Sequence, residues 1–292
     1  MKPPPFEYHA PTTLDEALAL LAELGDEAKV LAGGQSLVPL LNFRLARPAH
    51  LVDLNRIPDL AYIRAWDSGV AIGAMTRQRT AERDPLVAAR APLVRQGIAH
   101  IGHVQIRNRG TVGGNLAHAD PASELPAVMA TLGGRFVVRS RMGERVLAPE
   151  EFFLTYLTTS LEPTELLTEV RIPGVPPRTG TAFVELSRRH GDYALVGVAV
   201  LLTLTEDGRC AEARIALTGV DATPVRGTPG EEVLQDQVPS DDRFREAARL
   251  ATLDLEPLSD LHASSTYRKE IAAVLIHRAL GAAQTHRQAG AS

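Results

Sequence analysis

Residues 107–134 read RNRGTVGGNLAHADPASELPAVMATLGG. The centre of this stretch, Gly110-Thr111-Val112-Gly113-Gly114-Asn115, sets three glycines and two small polar side chains ahead of an apolar segment that can form a helix. Glycine tolerates positive φ and has no Cβ, so successive amides can turn toward an anion and the backbone can approach it closely. A helix after such a loop adds unsatisfied N–H groups. The sequence therefore suggests a phosphate cradle, against the plainer reading of a structural turn.

Working outward, a second glycine turn lies upstream. The apolar strand 29–32 (KVLA) runs directly into Gly33-Gly34-Gln35-Ser36, and an apolar run, Pro48 and a second strand at 50–54 follow. Before the strand, Thr13 and Glu16 have capping-box spacing, and Leu14, Ala17, Leu18, Leu21 and Leu24 recur with helical period up to Gly25. Residues 1–55 thus read as a small α/β unit whose glycine turn leaves the end of its first strand. Neither glycine turn fits G-x-G-x-x-G or the glycine-Lys-Ser/Thr of a P-loop. Two turns from different subdomains suit a dinucleotide such as FAD, whose two adjoining phosphates can be gripped from both sides.

Composition narrows the classes. The chain has 292 residues, 45% hydrophobic and 23% charged, with a net charge of −4. That is a globular composition of two or three domains, and it argues against nucleic acid or an anionic membrane as partner. No apolar run reaches the length of a membrane span and no leader pattern opens the chain, so the expected location is the cytoplasm. Cys210 is the only cysteine, which excludes an internal disulfide and a four-cysteine metal or iron–sulfur site on this chain. Electrons passing through it would need an organic cofactor.

The remaining elements follow from periodicity and punctuation. Short strands are expected at 62–65 and 69–73, a helix at 85–101, a helix at 124–132, a hairpin at 136–139 and 145–147, a short helix at 150–156 and a strand at 165–172. The run Pro173-Gly174-Val175-Pro176-Pro177 marks a domain boundary, giving 1–55, 56–176 and 177–292. The last part reads as a three-stranded antiparallel sheet (181–188, 195–205, 210–218) followed by amphipathic helices at 241–253 and 264–280 and a frayed tail from 281. The fold class is α+β.

Other polar groups have competing readings. His100, His103, His118 and Asp120 could be a metal set, but no motif fixes four ligands, and helix-end histidines commonly cap carbonyls. Asp120 and Glu124 suit ribose hydroxyls or an adenine amino group, or alternatively helix capping. Tyr193, in the polar segment 187–194, could stack on a planar ring or be a packed strand-end residue. No serine or cysteine hydrolase motif is present.

Together, AGGQSLVPLLNFRLARP (32–48), IRNRGTVGGNLAHADPASELPA (106–127), RRHGDYALVGVAV (188–200) and SDLHASSTYRKEIAAVLIHRAL (259–280) resemble the FAD-binding medium subunit of the molybdenum hydroxylases, the family of aerobic carbon monoxide dehydrogenase and xanthine dehydrogenase. The resemblance implies a two-subdomain FAD-binding fold of the vanillyl-alcohol-oxidase type plus a separate C-terminal domain. It implies FAD contacts from Leu31, Ala32, Gly33, Gly34, Gln35, Ser36 and Leu37 in the first loop, and from Thr111, Gly113, Gly114 and Asn115 in the second. Asp120, Glu124, Leu167 and Tyr193 are the further matching positions. Gln35 stands where carbon monoxide dehydrogenases have His, and Val184 where xanthine dehydrogenases have a flavin-proximal Lys, which argues against NAD as acceptor. The implied enzyme is a molybdenum-dependent dehydrogenase or hydroxylase. A large molybdopterin-binding subunit oxidises substrate, a small subunit with two-iron two-sulfur clusters relays electrons, and FAD on this chain passes them on, with no catalytic residue here beyond the flavin. The competing expectation is a stand-alone FAD oxidoreductase acting on a small organic substrate.

Overall fold

The computed structural model describes residues 2–286. Strands β1 (Glu7–His9), β2 (Ala28–Leu31) and β3 (His50–Asp53) form a parallel sheet in the order β1-β3-β2. Helix α1 (Leu14–Leu24) connects β1 to β2; its Thr13–Glu16 capping box is formed, and it buries Ala17, Leu18 and Leu21. The short α2 (Leu37–Asn42) connects β2 to β3. Between β2 and α2 lies the turn 32–36, at the C-terminal end of the parallel strands, where open α/β sheets present their ligand sites.

Next come β4 (Ile63–Trp66) and β5 (Gly69–Gly73), then helices α3 (Gln78–Arg83), α4 (Pro85–Arg90), α5 (Pro92–His100), α6 (Val104–Arg109), α7 (Val112–His118) and α8 (Glu124–Leu132). Strands β6 (Arg135–Ser140) and β7 (Gly143–Leu147), the single turn α9 (Pro149–Phe152), the ribbon β8 (Phe153–Thr155) and β9 (Thr158–Thr159), and β10 (Leu166–Ile172) complete this part. The sheet order is β4-β5-β10-β6-β7, antiparallel throughout. Phe136 stacks on Phe152 with centroids 4.2 Å apart. Helix α8 is buried along its whole length, which explains why its sequence is apolar nearly all round rather than striped.

The C-terminal part is an antiparallel sheet of β11 (Thr179–Ser187), β12 (Ala194–Leu204), β13 (Cys210–Thr218) and β14 (Val225–Arg226). Helices α10 (Thr228–Glu232), α11 (Asp241–Ala251) and α12 (Ser265–Thr285) follow. Every residue of β12 is buried, because α12 packs against β11 and β12 while α8 packs against β12 and β13. Each large apolar side chain so enclosed contributes about 1.5–3 kcal/mol. Arg268 on α12, buried at its guanidinium, donates to the carbonyls of Leu195 and Gly219 and to Asp260 Oδ2 (2.7 Å), tying the helix to the end of the sheet.

Four differences from the sequence reading have physical causes. The C-terminal sheet has a fourth strand, but Val225 and Arg226 are too few to show a period-two pattern. The helix expected at 85–101 is two helices, because Pro92 moves Ala91 out of helical geometry (φ −140°, ψ 57°). Only Pro149–Phe152 is helical where 150–156 was expected; Phe153 leaves into a strand. Helix α12 continues to Thr285, five residues beyond the expected end; the remainder of the expected frayed tail, from 287, lies outside the described residues. No helix among the described residues is long and apolar enough to cross a membrane.

Candidate functional site

The two glycine segments, some 75 residues apart in sequence, are in contact. A Cβ on Gly33 would lie 2.4 Å from the Arg109 carbonyl oxygen and 2.8 Å from Gly110 Cα. A Cβ on Gly114 would lie 2.6 Å from Thr111 Oγ1 and 3.0 Å from Ala32 Cβ. Both glycines are therefore needed for the backbones to approach this closely, since larger side chains would push the loops apart.

The two segments differ in what their amides do. In the second, the Val112 and Gly113 amides donate to the Thr76 and Ala74 carbonyls (3.0 and 2.8 Å), Gly114 to Thr111 Oγ1 (3.0 Å) and Asn115 to the Thr111 carbonyl (3.1 Å). The sequence suggested a loop of free amides here. Instead Thr111 caps α7 and the glycines form its first turn. In the first segment, the amides of Gly33, Gly34, Gln35 and Ser36 donate to no group among the described residues. Gly34 has φ +75°, the left-handed conformation that turns such a run inward. The amide cradle is thus the first loop, and the second contributes a close, Cβ-free wall.

Two residues that the sequence reading missed hold the loops together. Asn55 Nδ2 donates to the Ala32 carbonyl (2.8 Å), and Arg77 donates through Nη1 to the Arg109 carbonyl and through Nη2 to Asn55 Oδ1 (2.6 Å). The Asn55–Arg77 pair occupies carbonyls of both loops, while the first-loop amides keep no partner among the described residues. Burial and neighbouring Arg109 lower the Arg77 pKa, so a cation is kept beside the cradle at some electrostatic cost, a favourable placement for an anion. Neither residue lies in a glycine pattern, so periodicity and motif spacing carried no signal for them.

Around this clamp, Asn115 Oδ1 accepts from Ser123 Oγ (2.8 Å) and Asp120 Oδ1 accepts from the Ala122 amide (2.9 Å). Glu124, expected as an acceptor for a ligand hydroxyl, is 6% exposed, and burial followed by repulsion from Glu185 pushes its pKa up to about 8. It is therefore protonated near neutral pH and can donate as well as accept. Burial likewise raises Glu185 to about 7, and its Oε2 has no hydrogen-bond partner. Tyr193 is 69% exposed; desolvation around its hydroxyl, then Asp120 and Glu124, raise its pKa, placing all three on one side of the site. A largely uncovered aromatic ring beside the clamp is a platform for a planar ligand. Leu31, Leu37 and Gln35 flank the first loop half-buried, whereas Leu167 is a core residue of β10. His100 packs against Phe183 and His103 against His190. Among the described residues, His100, His103, His118 and Asp120 do not converge as metal ligands.

The donor set fits a flavin dinucleotide: a run of free amides, a cation, a close backbone wall and an exposed aromatic ring. The comparisons agree. Residues 4–175 match the FAD binding domain in molybdopterin dehydrogenase, and residues 181–283 match the CO dehydrogenase flavoprotein C-terminal domain. The chain is 44% identical to the 6-hydroxypseudooxynicotine dehydrogenase complex subunit alpha of Paenarthrobacter nicotinovorans, covering 97% of this chain and 96% of that one. It is 40% identical to the carbon monoxide dehydrogenase medium chain of Hydrogenophaga pseudoflava, covering 97% and 98%. The solved carbon monoxide dehydrogenase from Hydrogenophaga pseudoflava, in a form lacking the Mo-pyranopterin moiety of the molybdenum cofactor, superposes with a TM-score of 0.95 over 99% of this chain and 100% of that one. From the paired glycine loops to the C-terminal helices, this chain belongs to the FAD-binding medium subunits of molybdenum-dependent dehydrogenases.

Proposed function

We propose that this chain takes electrons from an iron–sulfur partner subunit onto FAD and passes them to an external acceptor, while a large molybdopterin-binding subunit oxidises the substrate. The observation that carries the reading is the contact between the two glycine segments, which makes one clamp from the turn after β2 and the first turn of α7. In it, the amides of Gly33, Gly34, Gln35 and Ser36 bind the diphosphate, with Leu31, Ala32 and Leu37 shaping that loop. Thr111, Gly113, Gly114 and Asn115 form the opposing wall. Arg77 and Asn55 position both loops. Asp120 and Glu124 bind polar groups of the dinucleotide, and Tyr193 covers one face of the ring, with Leu167 beneath. When bound, FAD supplies the conversion between two-electron and one-electron transfer. The polypeptide's share is binding, orientation and control of the protons near the ring.

The single cysteine, buried with its thiol pushed up to about 11, supports placing the clusters on another chain. The names of the relatives as complex subunits or medium chains support the same division. We further assign 1–55, 56–176 and 177–292 as the domains. The test is a reductive titration. The purified complex should reduce its flavin when substrate is added, whereas the isolated chain should hold FAD and leave it oxidised with the same substrate. Flavin reduction by substrate in the isolated chain would instead establish a stand-alone oxidoreductase.

A further inference from the structure

At the opposite end of the parallel sheet from the glycine turn, we propose that Glu7, His9 and His50 form a site for a divalent transition metal of the zinc class. The register creates the cluster. Glu7 and His9 are alternate residues of β1 and share one face of it, and Glu7 pairs directly with His50 at the start of β3. Their ligand atoms converge. His9 Nε2 lies 3.1 Å from His50 Nδ1, Glu7 Oε2 lies 3.5 Å from His50 Nδ1, and Glu7 Oε1 lies 3.9 Å from His9 Nε2. Tetrahedral zinc, with bonds of about 2.0–2.1 Å, sets its ligand atoms roughly 3.3 Å apart. The three separations bracket that edge, so a small adjustment of the exposed Glu7 side chain completes the geometry.

The surroundings support the ligand forms that a metal requires. Both imidazoles are largely buried at 19% and 18% side-chain exposure, which fixes their rings, while Glu7 is 67% exposed and leaves an entry path. On the far side of His50, Glu27 Oε2 lies 3.9 Å from Nε2. A small rotation of the exposed Glu27 side chain would bring its carboxylate within hydrogen-bond reach of Nε2, leaving the Nδ1 lone pair to face His9 and Glu7, the arrangement in which an outer carboxylate orients a metal-bound histidine. Two imidazoles and a carboxylate favour zinc and its neighbours over calcium or magnesium. The metal would bridge β1 and β3 and so fasten a three-residue N-terminal strand to its sheet. Cys210, buried and remote in β13, is not a competing ligand.

The test is calorimetric titration of the full-length chain with zinc after treatment with EDTA and dialysis, with flavin content measured alongside. One equivalent should bind. His9→Gln and His50→Gln should each weaken binding by at least about 100-fold, and Glu27→Gln by about tenfold, as expected for an outer carboxylate. Flavin content should be unchanged, because the cluster lies at the other end of the strands. Should either histidine variant lose its flavin, the surface substitution Glu7→Gln serves instead and should weaken binding at least tenfold. Absence of a one-equivalent binding event, or equal affinity in the wild type and the flavin-retaining variants, would overturn the site and leave only the His9–His50 hydrogen bond in its place.

Discussion

At the residue scale, single atoms decide the clamp. In Gly114→Val, the new side chain meets Thr111 Oγ1 and Ala32 Cβ inside ordinary contact distance. Overpacking of this kind costs about 1–3 kcal/mol, and here it falls on the spacing between the loops. The purified variant should lose most of its flavin absorbance while retaining the far-ultraviolet circular dichroism of the wild type. Glu124 makes a second prediction. Its carboxyl, with an ordinary value of 4.5, is pushed up to about 8 by burial and then by Glu185, so folding favours the protonated form. A raised folded-state pKa gives stability that is complete below the unfolded value and is lost as pH climbs through the folded one. Thermal midpoints should therefore fall between pH 4.5 and 8, and Glu124→Gln should flatten that slope. A wild-type midpoint that rises across the window would contradict the burial of this group.

At the element scale, the loops are positioned by side chains from the strand ends rather than by their own sequence. Arg77 and Asn55 tie the Arg109 and Ala32 carbonyls into one network. A hydrogen bond involving a charged group contributes about 1.5–3 kcal/mol, so Arg77→Met should weaken FAD binding by roughly 10- to 100-fold, measured by fluorescence titration of the flavin-free chain. Thr111 caps α7 through the Gly114 amide. Thr111→Val should cost about 1 kcal/mol of stability, seen in denaturant unfolding. The burial of α8 on all sides likewise reflects its place between the C-terminal sheet and helices α5, α7 and α9; an isolated helix of that sequence would have no polar face for water.

At the scale of the whole molecule, the first loop leaves the three-stranded sheet and the second follows β5 and its helices, so a dinucleotide held between them links two parts of the chain. A ligand that binds only the folded form adds about 2.7 kcal/mol at a hundred times its dissociation constant. Removing flavin should therefore lower the thermal midpoint of the wild type and leave that of Gly114→Val nearly unchanged.

Much of this was legible in the amino-acid order. Glycine pairs, the Thr13–Glu16 box, the apolar run of β12 and the segments 32–48 and 106–127 are local signals, and they suffice for the α+β class, the family and FAD as cofactor. The parting of roles between the loops was not legible, because whether an amide is free depends on carbonyls such as those of Ala74 and Thr76, well over 30 residues away. Nor were the Asn55–Arg77 network, the shared burial of Glu124 and Glu185, or the Glu7–His9–His50 cluster. Local backbone preference is written into neighbouring residues, whereas hydrogen-bond satisfaction, burial and ligand convergence are properties of pairs that only folding brings together.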